Sequence, residues 1–117
     1  MSPAQHDRIL AGISHLPHVT AVALTNANTA ADLKFAGTGF IDTSRIASSP
    51  GNIWADILLT NANNITKSID RITAELGKIK NAIKSGDNAR LEKLLSEARN
   101  KRNALIKYKM QKKELIS

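Results

Sequence analysis

Apolar residues recur at helical intervals over most of this chain, and the longest such run lies in its second half. Ile65, Ile69, Ile72, Leu76, Ile79 and Ile83 follow one another at spacings of 4, 3, 4, 3 and 4 residues, the alternation of a heptad seam. Leu91, Leu94, Leu95, Ala98, Leu105 and Ile106 supply a second stripe. Between the two, Gly86 is a helix stop and Asp87 can cap the next helix. The pattern predicts helices over 65–85 and 88–112, folded back as an antiparallel hairpin. Glu97, four residues before Lys101, adds a weak surface pair.

The N-terminal segment opens on Ser2-Pro3-Ala4-Gln5, a capping serine, a proline at the first helical position and a glutamine placed to reach back. On a helix over 3–24, Ile9, Ile13, Leu16, Thr20 and Leu24 share one face and form the expected core stripe. The opposite face carries Asp7, Ala11, Ser14, His15, His18 and Val22, without lysine or glutamate. A face so small and sparsely polar reads as the lining of a cavity, so the helix is expected to be buried on both sides. Pro17 is interior, removes one backbone hydrogen bond, and should kink the helix beside His15 and His18.

Between Thr25 and Gly39 the periodicity is lost, with a possible short helix over 30–36. The glycines of Gly37-Thr38-Gly39-Phe40 suggest unusual backbone or a close approach by another group. Asp42-Thr43-Ser44-Arg45-Ile46-Ala47 reads as a helical turn capped by Asp42. Ser49-Pro50 repeats the cap-plus-proline signal and starts a helix through Ile53, Trp54, Ile57 and Leu58. No stretch alternates with a period of two, so the fold class is all-α, a single helical domain over 1–117.

Size changes this picture first. A chain of 117 residues with 3% aromatics has little means of enclosing such long apolar stripes alone. An obligate homodimer with interleaved helices is expected, held by apolar burial. The chain has no cysteine, which excludes disulfides and thiolate metal sites and makes an intracellular, cytoplasmic protein the default. Its apolar runs are too short for a membrane span, and Met1-Ser2-Pro3 lacks a signal-peptide pattern.

Charge is unevenly placed. Residues 1–77 hold 5 basic and 6 acidic side chains, residues 78–117 hold 12 and 4, and together they give the net +7. A basic helical dimer binding nucleic acid is therefore one reading. Against it, Tyr108 is the only aromatic of the basic hairpin over 78–113, and its cations are spread around the helices. A solvated face is the better reading, with no nucleic-acid partner.

His15 and His18 are the first candidates for chemistry. At i and i+3 they could be two metal ligands, but a third is missing, since His6 lies on the other side of the helix. They are otherwise satisfied interior histidines, or hydrogen-bonding groups for a polar or anionic ligand in the cavity. Arg45 is their natural companion, because a guanidinium matches a carboxylate bidentately; the plainer alternative is a surface pair with Asp42. Gly37-Thr38-Gly39 fails as a dinucleotide loop, because position 42 is Asp and no strand precedes it. No catalytic triad or carboxylate pair is visible.

Taken together, Ser14-His15-Leu16-Pro17-His18 and Gly39-Phe40-Ile41-Asp42-Thr43-Ser44-Arg45-Ile46-Ala47 resemble the two signatures of the helical C-terminal domain of prephenate dehydrogenases. The likeness extends through His6-Asp7, Ser48 and Ser49, Trp54-Ala55-Asp56-Ile57, Asn61 and Asn64, and covers essentially the whole chain. It implies part of an enzyme of tyrosine biosynthesis that oxidatively decarboxylates prephenate to 4-hydroxyphenylpyruvate with hydride transfer to NAD or NADP. In that family an N-terminal Rossmann domain binds the nucleotide and supplies the catalytic histidine, while the helical domain dimerises and completes the substrate pocket. The resemblance thus implies no catalytic residue, no bound cofactor and no metal in this fragment.

Carried over by motif position, Arg45 would hold a prephenate carboxylate and His18 would face the same pocket. Ser14 and His15 would be near neighbours, with Asp42 and the Thr38-Gly39 backbone at the pocket edge near the dimer interface. Thr38 stands where the family usually has glycine, and Ile41 where it usually has a basic residue. The same fold acting on arogenate is the alternative within the family.

Overall fold

The computed structural model describes residues 1–113, and every regular element among them is helical. In order these are α1 (Pro3–Leu10), a π-helical turn (Ala11–His15), α2 (Leu16–Asn26), α3 (Ala30–Leu33), α4 (Thr38–Ser44), a 3-10 turn (Arg45–Ser48), α5 (Gly51–Thr60), α6 (Ala62–Lys84) and α7 (Asn88–Gln111). The backbone divides into two compact units, Met1–Ile72 and a second beginning at Thr73, with α6 passing from one to the other. Among the described residues no helix is long and apolar enough to cross a membrane.

In the first unit, α1 starts as its sequence predicts. The Ser2 hydroxyl accepts from the Gln5 backbone N–H at 3.1 Å, and the Gln5 side chain accepts from the Ser2 N–H at 3.0 Å, a complete capping box. The interruption expected at Pro17 takes a different form. The Leu16 N–H reaches back five residues to the Ala11 carbonyl, so the wide turn lies just before the proline. Pro17 has no N–H to give, and the extra residue in the preceding turn eases its ring past the carbonyls below it.

That turn also corrects the faces drawn from the sequence. The deeply buried positions are Ala11, His18 and Ala21, drawn mostly from the side read as cavity-lining. Ile13, assigned to the core stripe, is 70% exposed, and Leu24 is also open. One residue gained in a π turn rotates everything beyond it by about 100° relative to an unbroken helix. Spacing carried across Ala11–His15 therefore misplaces single positions such as Ile13, while beyond the turn His18 of one face is buried and Leu16 and Thr20 of the other are half-buried. The alanines do the burying because α2 lies close against both α4 and the 3-10 turn, where small side chains permit near approach.

Two further local expectations are corrected. Asp42 is interior to α4 rather than a cap, since the helix begins after Gly37. Ser49 does not cap α5; its hydroxyl donates to the Ile46 carbonyl at 2.7 Å, and Pro50 precedes the helix with extended backbone. The short helix expected over 30–36 is present as α3, capped by the Thr29 hydroxyl accepting from the Asp32 N–H at 3.1 Å. The start of α6 supplies the buried pair Ile65 and Ser68. Ser68 accepts from Arg71 Nη2 at 2.9 Å, which satisfies its hydroxyl inside the unit.

In the second unit, α6 ends at Gly86, whose φ of +64° places it in the left-handed region. Asp87 comes next, its carboxylate accepting from the Arg90 N–H at 3.0 Å, so the stop and cap signals both hold. Leu91, Leu94 and Ile106 are half-buried, but the heptad seam stays largely open. Leu76 is 59% and Ile83 62% exposed in the single chain. With Thr73, Gly77, Ile79, Lys80 and Lys84 they line a shallow groove of about 610 Å³.

Candidate functional site

Three elements of the first unit converge on Trp54. It projects from α5, whose Ile57 and Leu58 are half-buried beside it in sequence. His18 comes from the first turn of α2 and is 4% exposed. The His18 and Trp54 rings stack with centroids 3.8 Å apart and an interplanar angle of 6°. His15, the last residue of the π turn, meets the same indole edge-on, at 6.2 Å and 82°. One indole thus presents a face to one imidazole and an edge-to-face contact to the other, both favourable ring geometries.

The stacking buries a polar atom. His18 Nδ1 is buried with no hydrogen-bond partner among the described residues, a costly arrangement for a lone imidazole nitrogen. His18 and Trp54 form part of the wall of a cleft of about 430 Å³, completed by small and apolar residues such as Val19, Val22, Ala47 and Leu58. Largely apolar walls with few polar side chains, among them His18 and Ser49, suit a small organic ligand held by shape and oriented by few hydrogen bonds.

A second cleft of about 310 Å³ lies beside His15 and is more polar, lined by Asp7, His15, Asp56, Ile57, Thr60 and Asn61. Asn61, at the corner between α5 and α6, crosses it. Its Nδ2 donates to the Asp7 carbonyl at 2.8 Å and lies 3.4 Å from His15 Nδ1. Its Oδ1 accepts from Asn64 Nδ2 at 2.9 Å.

The remaining sequence candidates are distributed over neighbouring elements. Ser14 is exposed in the π turn. Thr38 and Gly39 open α4, Asp42 lies further along it, and all three are exposed. Arg45 begins the 3-10 turn and is exposed. Among the described residues it makes no ion pair with Asp42, so the plain surface-pair reading of these two is not realised. Since α4 and the 3-10 turn both pack on α2, these residues are carried on elements adjoining the helix that bears His18. None of them lines either cleft.

The structure therefore brings His15 and His18 together and leaves Ser14, Thr38, Gly39, Asp42 and Arg45 outside the cleft walls. Two participants were not among the candidate site residues, Trp54 as the shared ring and Asn61 as the cross-link, although the family likeness ran through both. The available signals for Trp54 were that likeness and its being the one tryptophan of the chain. Among the described residues no group of three or more His, Cys, Asp or Glu side chains could hold a metal ion.

Comparison with known proteins gives this geometry its context. The family model described as prephenate dehydrogenase, dimerization domain, matches residues 2–97. A prephenate dehydrogenase of Bacillus subtilis is 34% identical over 111 residues, covering 90% of this chain and 30% of the relative. A cyclohexadienyl dehydrogenase of Zymomonas mobilis is 34% identical over 112 residues, covering 90% and 38%. The crystal structure of prephenate dehydrogenase from A. aeolicus in complex with hydroxyphenyl propionate and NAD+ superposes with a TM-score of 0.82 at 35% identity, covering 90% of this chain and 39% of that one. Synechocystis arogenate dehydrogenase superposes at 0.81 with 26% identity, covering 90% and 41%. The chain spans 30% and 38% of the length of the two curated relatives. On a family match of this extent, joined to an all-α fold that agrees with it, the chain belongs to the prephenate dehydrogenase dimerisation-domain family.

Proposed function

We propose that this chain is the dimerising, substrate-pocket part of a cytoplasmic NAD(P)-linked prephenate dehydrogenase, working as one helical domain beside a separate nucleotide-binding domain. The reaction is the oxidative decarboxylation of prephenate to 4-hydroxyphenylpyruvate, in which the ring loses carbon dioxide and a hydride. The observation that carries this reading is the His18–Trp54 stack, with its unpaired Nδ1, in the wall of an apolar cleft. The relative from A. aeolicus, whose structure holds hydroxyphenyl propionate and NAD+, supports the same substrate class.

When bound, the nicotinamide accepts the hydride. This chain's residues bind and orient. The cleft wall gives a six-membered ring an apolar surface and excludes water from it. His18 Nδ1, buried and without a partner among the described residues, would hydrogen-bond a polar group of the substrate once the ring turns to present it to the cleft. Arg45, exposed and not paired with Asp42, offers a bidentate partner to a substrate carboxylate. His15 lines the second cleft, and Ser14, Asp42, Gly39 and Thr38 lie outside both cleft walls on neighbouring elements; in this reading they reach the substrate from the edge. No group here abstracts a proton or hydride, so the chain alone is expected to be inactive. The open seam on α6 is covered by a second copy of the chain, as the family's dimerisation role suggests. Neither nucleic acid nor membrane is a partner in this reading.

Trp54 reports on the site directly. Joined to a nucleotide-binding domain that lacks tryptophan, the chain should show saturable change of its single indole emission on titration with hydroxyphenyl propionate. Arg45→Ala should shift that titration to at least about tenfold higher ligand, the loss of one charge-assisted pair. An emission that does not respond to the ligand would contradict the reading, and a response to arogenate in preference to prephenate would move the substrate to the amino acid.

A further inference from the structure

The bonds around Asn61 determine more than its own position. Its amide has two possible orientations, and two contacts choose between them. Were it flipped, Oδ1 would sit 2.8 Å from the Asp7 carbonyl oxygen, acceptor against acceptor. Its nitrogen would then face Asn64 Nδ2 at 2.9 Å, donor against donor. The orientation with Nδ2 toward Asp7 satisfies both partners. Asn64 is fixed by the same reasoning, since its own flip would oppose two carbonyl oxygens. An amide nitrogen carries two hydrogens; one goes to Asp7 and the other is directed to His15 Nδ1, 3.4 Å away.

We infer that Asn61, held by Asn64, is a positioning residue that fixes His15 as the neutral tautomer with its proton on Nε2. A proton on Nδ1 would face an N–H, so the alternative tautomer is disfavoured by that contact. Trp54, meeting the ring edge-on, holds its plane from another side. His15 is thereby a hydrogen-bond donor from Nε2 rather than an acceptor. The purpose of such a donor, holding an anionic or carbonyl oxygen of the substrate, rests on the function proposed above; the tautomer itself does not.

The test is long-range 1H–15N correlation spectroscopy of the imidazoles in the full 117-residue chain. The wild-type spectrum should show His15 with a protonated Nε2 and a bare Nδ1. Asn61→Asp replaces the donor by an acceptor and should bring a proton to Nδ1. Asn64→Ala removes one of the two contacts that orient the Asn61 amide and leaves the Asp7 carbonyl in place, so it should keep the Nε2 form as the major one and add a minor share of the Nδ1 form. A wild-type ring protonated at Nδ1, or variants that fold and leave the wild-type pattern unchanged, would overturn the inference. If Asn61→Asp does not fold, the wild-type and Asn64→Ala spectra still decide.

Kinetics separate this inference from the proposed function. In the chain joined to a nucleotide-binding domain, Asn61→Asp should raise KM for prephenate about tenfold with little change in kcat. An inactive fusion whose His15 nonetheless carries the Nε2 proton would sink the function and leave the tautomer standing. An active fusion with the proton on Nδ1 would do the reverse.

Discussion

Replacing Trp54 by alanine removes at once the surface on which His18 stacks and the ring that His15 meets edge-on. Fully buried tryptophans cost roughly 3–5 kcal/mol when truncated, and this one is half-buried, so a loss of about 2–3 kcal/mol is expected. Urea unfolding measures it, and a change below about 0.5 kcal/mol would show that the cluster carries no stability. Arg45→Ala should behave differently. Arg45 is exposed and makes no ion pair with Asp42, so the fold should hardly notice, while KM for prephenate in the completed enzyme should rise about tenfold or more at nearly constant kcat. Of these residues the histidines were legible in the sequence, because two imidazoles in an apolar segment are conspicuous. The partners that orient them were not, because Trp54 and Asn61 reach them from a distant part of the chain, and contact across such separations leaves no periodic trace. The ordered motifs shared with the prephenate dehydrogenases named Arg45 and His18, but motif order says nothing of the ring stack.

Among the elements, helix ends were read more accurately than helix faces. Ser2 and Asp87 cap as expected because a cap depends on residues three apart, which the sequence displays directly. The side of α2 that is buried depends on a π turn, and no residue announces the extra position except Pro17 just beyond it. Asp42 misled for a related reason: a capping residue type fell inside a helix that glycine had already started. Two glycines make the backbone argument measurable. Gly86 has φ of +64° and open space around it, so Gly86→Ala should cost about 1 kcal/mol through backbone strain alone. Gly77 lies within α6 with nothing within 4 Å of an added Cβ, so Gly77→Ala should stabilise the helix by about 0.5–1 kcal/mol in the isolated chain. Thermal unfolding of the two variants under conditions where the chain is monomeric should move in opposite directions, and a shared sign would contradict this assignment of backbone roles.

For the molecule as a whole, the heptad seam is the feature that one copy leaves unfinished. Ile83 is largely exposed on the single chain, so Ile83→Asp should leave helicity intact while shifting the equilibrium from dimer to monomer. Sedimentation at low micromolar concentration reads the change, and a variant as dimeric as the wild type would place the dimer contact elsewhere. Seam and helix content were both visible from spacing alone, since period and length suffice for them. What spacing could not give is how the pocket closes, because the clefts draw on several helices and the nucleotide site lies in a different domain in the proposed enzyme. The most direct test of that enzyme is the rate of prephenate-dependent NAD(P)H formation by this chain joined to a nucleotide-binding domain from a related prephenate dehydrogenase. The fusion should turn over, and neither part alone should. Absence of turnover in a fusion that folds, dimerises and binds nucleotide would contradict the proposed function.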